Sequence, residues 1–235
     1  YPKSKSMVLD DISFKINQGE TIAIVGATGC GKSTLVNLMI RMYDTTSGSV
    51  LIDGVDVKDY KLVELRDKIS LVLQKSELFS GTIKDNICWG KEDATMEEVE
   101  YAAKIAQADT FINGFVDKYD TYVAEKGASL SGGQKQRISI ARALIKKPEI
   151  LVFDDSTSAL DLQTEAKLYQ AINNDLKDLT IITIAQRVAS VKNADKIIVF
   201  NDGTITDIGT HEELIKNSPT YIDIYNSQLK KEGDE

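Results

Sequence analysis

Thr21–Met42 reads TIAIV, then GATGCGKST, then LVNLMIRM, and this stretch decides the fold. TIAIV is a short, β-branched apolar run of the kind that makes a buried strand. In LVNLMIRM, Leu35, Leu38, Met39 and Met42 fall at i, i+3, i+4 and i+7, the spacing of an amphipathic helix. Between them Gly26, Gly31, Lys32 and Ser33 fit G-x-x-x-x-G-K-S/T, a phosphate-binding loop. Gly26, Gly29 and Gly31 lack a Cβ, so the backbone can curl until its N–H groups face an anion. The following helix adds the positive end of its dipole. Ala27, Thr28, Cys30 and Thr34 complete the cradle. Lys32 is placed to reach the β- and γ-phosphates, and the Ser33 hydroxyl to ligate Mg²⁺. The stretch implies a nucleoside triphosphate.

Outward from it, 235 residues at 42% apolar composition can bury a full core, as one large domain or two lobes. The net charge of −8 argues against indiscriminate binding to nucleic acid or an anionic bilayer. No apolar run reaches the length of a membrane span, and YPKSKSMVLD lacks the apolar stretch of a signal peptide. Cys30 and Cys88 have no metal-type spacing and suit a reducing compartment. The sole histidine is His211.

In chain order, Val8–Ile16 alternates apolar and polar residues, which predicts a half-buried strand. Asp53-Gly54 predicts a hairpin, and Ile69–Gln74 (ISLVLQ) a second buried strand ending in glutamine. From about residue 80 to 147 the texture is helical. Thr95 with Glu98 forms a capping box ahead of Val99, Ala102, Ala103 and Ala106. The strand Ile150–Phe153 follows Pro148 and ends at Asp154-Asp155; TIITIA, IIVF and a hairpin at Asp202-Gly203 complete an alternating α/β pattern. The helical stretch therefore reads as an insertion between two halves of one parallel-sheet core.

Asp154 stands where an α/β sheet presents ligands, and is expected to hold Mg²⁺, usually through water, opposite Ser33. The most distinctive run is LSGGQKQR, Leu130–Arg137. Ser131 and Gln134 have capping-box spacing. Gly132 and Gly133 then fill the first two helical positions, where glycine is a poor helix former. Glycines there let the backbone approach something closely, and a helix N-terminus favours an anion. The chain thus carries two anion-binding helix ends, far apart in sequence.

Together the phosphate loop, LSGGQ, ILVFD and SALD resemble the nucleotide-binding domain of an ABC transporter, over essentially the whole chain. The resemblance implies an α/β fold: a P-loop NTPase (RecA-like) core with a mainly parallel sheet, an N-terminal antiparallel β subdomain and an inserted helical subdomain. The core lobe would cover about 1–78 and 148–235, and the helical subdomain about 79–147. It also implies ATP and Mg²⁺ as cofactors, and head-to-tail pairing with a second such domain. Each ATP would lie between the phosphate loop of one domain and the signature helix of the other. Tyr1 matches the aromatic that stacks on adenine. Gln74 matches the glutamine that touches Mg²⁺ and links core to helical lobe. Ser131, Gly132, Gly133, Gln134 and Asp161 would face the partner's ATP, and Asp161 also reads as a helix N-cap. LFSGTIKDNI and the run Thr121–Gly127 (TYVAEKG) resemble the exporter branch and would face membrane domains, although Ala124 replaces an expected glycine. The resemblance places the domain, itself soluble, at the cytoplasmic face of a cell membrane.

Two positions depart from the family pattern, and both concern hydrolysis. Asp155 stands where the general-base glutamate is expected, and Gln186 where the γ-phosphate histidine is expected. A carboxylate one methylene short sits about 1 Å or more from the attacking water, and such a misplacement can cost on the order of 10²-fold in rate. Glutamine donates a hydrogen bond but does not titrate. Lys32 and every other ATP-binding residue remain. The expectation is the degenerate-site half of a heterodimeric exporter, paired with a non-identical domain that keeps Glu and His. The alternatives are a homodimeric exporter with two slow sites and a soluble, ATP-gated switch.

Overall fold

The structure, a computed structural model, describes residues 1, 7–185, 188 and 191–233, with the backbone alone for 228–233. The elements begin with β1 (Thr21–Gly26), α1 (Lys32–Met39), β2 (Leu51–Ile52), β3 (Val55–Asp56), α2 (Leu62–Lys68) and β4 (Ile69–Leu73). Next come β5 (Gly81–Thr82), α3 (Ile83–Cys88), α4 (Met96–Ile105), α5 (Asp109–Ile112), β6 (Tyr122–Val123) and α6 (Gly132–Leu144). The chain continues with β7 (Ile150–Asp154), α7 (Leu162–Asp175), β8 (Thr180–Ile184), β9 (Lys196–Asn201) and β10 (Thr204–Gly209), then α8 (His211–Asn217) and α9 (Pro219–Gly233).

Two compact units form, Tyr1–Ile69 with Thr180–Glu235, and Ser70–Leu179. These bounds differ from the lobes drawn at 78/79 and 147/148, because β7 and α7 group with the helical segment. In the first unit the strand order is β10-β9-β1-β8. β1 runs parallel to both neighbours, pairing Ala23 with Thr183 on one side and Ile197 on the other. β9–β10 is antiparallel. Both faces of β1 are buried, as its unbroken apolar run requires. Ala23 and Val25 face a cluster with Val199, Leu214 and Tyr221. Each buried aliphatic side chain here contributes about 1.5–3 kcal/mol.

Both Asp-Gly hairpins form as their sequence demands, with positive φ at Asp53, Gly54, Asp202 and Gly203, the type I′ signature. Two expectations need correction. Val8–Ile16 is not a strand: Ile12, Phe14 and Ile16 are half-buried in alternation, but Asp11 sits at φ 49° and interrupts the run. Alternation records a covered face and says nothing about a ladder partner. The first helix stops at Met39, because Arg41 turns left-handed at φ 52°. Its Nη1 donates to the carbonyls of Val57, Lys58 and Tyr60, so Met42 lies beyond the helix and 58% exposed.

In the second unit β7 neighbours β4, and β5 pairs antiparallel with β6. The Thr95/Glu98 box caps α4, and Val99, Ala102, Ala103 and Ala106 are all buried. Lys147, Lys91 and the Thr95 N–H, in that order, hold the Glu98 carboxyl well below its usual range, at about 2.

Candidate nucleotide-binding and signature sites

The phosphate loop lies between β1 and α1. Gly31 is the N-cap of α1 at φ 105° and ψ −1°, with no side-chain cap and no acidic residue in the first turn. The helix therefore presents its first N–H groups without a carboxylate competitor. A Cβ on Gly31 would lie 2.6 Å from Leu9 Cδ2 and 3.2 Å from the Val8 carbonyl. On Gly26 it would meet the Phe200 carbonyl at 2.5 Å and Cys30 Sγ at 2.8 Å. The loop is thus packed from outside, and Cys30 fills the space beneath it, 6% exposed. The Gly203 N–H donates to the Cys30 carbonyl at 3.1 Å, tying the β9–β10 turn to the loop.

Lys32 is only 8% exposed. Its Nζ donates to the carbonyls of Gly26 at 2.7 Å and Ala27 at 2.8 Å, with Cys30 Sγ at 3.7 Å. Among the described residues it forms no salt bridge, and the three contacts of its Nζ are all to neutral acceptors. Ser33 is exposed and Thr34 half-buried. The Thr34 hydroxyl shares a 2.8 Å hydrogen bond with that of Tyr1, whose ring meets Tyr43 edge-on at 5.0 Å between centroids. Tyr43 had no sequence signal, because a lone exposed aromatic after a helix has no spacing to mark it.

In the second unit, Asp154 ends β7 and Asp155 follows at φ 50° and ψ 24°, in the left-handed region. Gln74, just past β4, donates from Nε2 to Asp155 Oδ2 at 2.5 Å, so these two expected site residues meet. Asp161 caps α7 as expected, accepting from the Thr164 N–H at 2.8 Å and the Thr164 hydroxyl at 2.7 Å. The hydroxyl, then the N–H, hold its carboxyl below the usual range. No cluster of three His, Cys, Asp or Glu able to hold a metal occurs among the described residues. The Asp154 carboxylate and the Gln74 side-chain amide are donor types that Mg²⁺ accepts beside waters and substrate phosphates. Gln186 lies outside the described residues.

Ser131 caps α6 through a complete capping box. Its N–H donates to Gln134 Oε1 at 2.9 Å, and its Oγ accepts from the Gln134 N–H at 3.3 Å. Gly132 and Gly133 open the helix, again with no acidic residue in the first turn. A Cβ on Gly132 would meet nothing within 4 Å among the described residues, whereas on Gly133 it would meet the Ala159 carbonyl at 3.3 Å. Arg137, to which the sequence reading assigns no role, braces this end. It donates to the carbonyls of Gly133 at 3.2 Å and Gln107 at 2.8 Å and lies 4.6 Å over the Phe111 ring. The Thr121–Gly127 segment carries Tyr122 at 67% exposure, and Phe79 stacks on Trp89 at 4.0 Å, both exposed. Thr82 with Asp85 caps α3, a Thr-x-x-Asp signal that was legible and overlooked.

The sequence profile of the ABC transporter family matches residues 9–158. The chain is 50% identical over 228 residues to the multidrug export ATP-binding/permease protein YgaD of Bacillus subtilis (strain 168), covering 97% of this chain and 39% of that protein. It is also 50% identical, over all 235 residues, to the ABC transporter ATP-binding protein YfiB of the same organism, covering 41% of its length. Among solved structures, a bacterial Atm1-family ABC exporter with ATP bound superposes with a TM-score of 0.90 at 40% identity, over 94% of this chain and 39% of that one. The chain thus spans about two-fifths of the length of these relatives, and no helix among its described residues is long and apolar enough to cross a membrane. A buried lysine beneath a glycine loop with no salt bridge among the described residues, a capped LSGGQ helix and these matches agree: the chain belongs to the ABC transporter family.

Proposed function

We propose that this domain drives export across a membrane by ATP-dependent, head-to-tail pairing with a second ABC nucleotide-binding domain. Its phosphate loop, Gly26–Thr34, binds its own ATP, and Tyr1 stacks on the adenine. Its signature residues, Ser131, Gly132, Gly133 and Gln134, together with Asp161, complete the partner's site. Ser33, Gln74 and Asp154 are the Mg²⁺ ligands; the ion, when bound, neutralises phosphate charge. The domain works at the cytoplasmic face of the membrane, with Gln74 and Thr121–Gly127 meeting the membrane domains.

We further propose that this domain's own site is weak in hydrolysis and that the partner differs from it. Asp155 is too short for the base role and is engaged by Gln74 at 2.5 Å. Gln186 cannot take the histidine's titrating role. The partner then carries the glutamate and histidine, so turnover occurs mainly where this chain contributes its signature.

The observation that carries the two-domain reading is Gly132. At the first helical position it costs up to about 1 kcal/mol relative to alanine, yet among the described residues nothing lies within 4 Å of a Cβ built there. A close approach by a partner's nucleotide accounts for the missing Cβ. Gly132→Ala is therefore expected to raise the domain's unfolding free energy by up to about 1 kcal/mol. In the assembled transporter it lowers ATP turnover on the order of tenfold or more, as loss of a close backbone approach to charge does. Denaturant unfolding and steady-state hydrolysis read the two effects. A stabilised domain with unchanged turnover contradicts the reading.

A further inference from the structure

Gln74 stands between two anchored neighbours. On one side the Leu73 carbonyl accepts from Gln136 Nε2 at 3.4 Å, and on the other the Ser76 hydroxyl donates to Gln136 Oε1. Gln136 is 1% exposed. It lies on the stripe of α6 that Ile140, Ala143 and Leu144 continue, a core position where a polar side chain is out of place unless both ends of its amide are used. Both ends go to the residues that flank Gln74. Gln74 itself reaches Asp155.

We propose that Gln136 is a positioning residue for Gln74. The inference rests on the reading of Gln74 as a Mg²⁺ ligand. By fixing the chain one residue before and two residues after Gln74, the Gln136 amide gives that side chain a rigid base. Gln74 then exchanges its bond to Asp155 for the metal-ligand role without the loop having to reorganise. An ordered base lowers the entropy lost when the ligand is captured, which is how outer partners of metal ligands raise affinity. Gln136 also lies five residues after Ser131 on the same helix. The loop bearing Gln74 is thus fastened to the helix whose N-terminus serves the partner's nucleotide.

The test uses the full transporter and binding of a fluorescent ATP analogue, titrated with Mg²⁺ and repeated in EDTA. Gln136→Met keeps the side-chain length and removes both hydrogen bonds. It is expected to raise the Mg²⁺ concentration for half-maximal binding on the order of tenfold, with EDTA binding unchanged. Ser76→Ala, at a half-buried position, shifts it in the same direction by less. The double variant is no worse than Gln136→Met, because both changes remove the same bond. A merely structural role lowers Mg²⁺-bound and EDTA affinities together, and that result overturns the proposal. Gln74→Ala separates the two levels. If it shifts the Mg²⁺ requirement while Gln136→Met and Ser76→Ala do not, the positioning role is wrong and the ligand reading stands. If Gln74→Ala shifts nothing, the ligand reading is wrong and the positioning role falls with it.

Discussion

Asp155→Glu combined with Gln186→His is expected to raise turnover at this chain's own site on the order of 10²-fold, equivalent to about 2.7 kcal/mol of transition-state stabilisation. The reasoning is geometric. Asp155 holds a left-handed backbone position, and its carboxylate accepts from Gln74 at 2.5 Å. A glutamate on the same backbone carries its carboxylate about 1 Å or more further, which decides whether a base meets its water. The histidine restores a titrating donor that Gln186 lacks. To isolate this site, the pair is placed in a Ser131→Arg background, which blocks the signature this chain lends to its partner. What remains is hydrolysis at this chain's own phosphate loop. No gain in a properly assembled transporter removes the geometric explanation for Asp155.

The second large effect is at Gly31. Gly31→Ala forces a Cβ onto a residue at φ 105°, where strain costs on the order of 1–3 kcal/mol. The same Cβ would press against Leu9 Cδ2 at 2.6 Å and the Val8 carbonyl at 3.2 Å. Overpacking of this kind adds about 1–3 kcal/mol. Relief by movement of the loop tilts the first N–H groups of α1 away from the phosphates, so the variant loses ATP affinity as well as stability. Gly29→Ala supplies the contrast. It too is left-handed, at φ 85°, but among the described residues nothing lies within 4 Å of a Cβ built there. It therefore pays only the conformational part, and unfolding in denaturant ranks Gly31→Ala well below Gly29→Ala. Equal losses would mean that the packing of Val8 and Leu9 against the loop does not matter.

Much of this was legible because the signals were local. An Asp-Gly pair demands positive φ at two consecutive residues, and both pairs made their hairpins. The boxes at Thr95 and Ser131 and the cap at Asp161 also formed where three-residue spacing placed them. What failed depended on partners far along the chain. Arg41 ends α1 by seizing carbonyls at 57, 58 and 60, and no pattern within the helix announces that. Val8–Ile16 has a strand's alternation, yet Asp11 breaks it and its Asp10 N–H goes to the Gly203 carbonyl. Gln136 offered a clue that was missed: a polar residue on the buried stripe of the signature helix. Tyr43 offered none, since its meaning comes only from Tyr1 beside it.

The claim at the centre is a division of labour, with this chain binding ATP at its own loop while lending its signature to the site that turns over. Steady-state hydrolysis by the assembled transporter carrying Asp155→Ala in this chain tests it most directly. The account predicts a rate close to that of the unaltered complex, because the productive base lies on the partner. A fall on the order of 10²-fold or more, as removal of a working catalytic base produces, would contradict it.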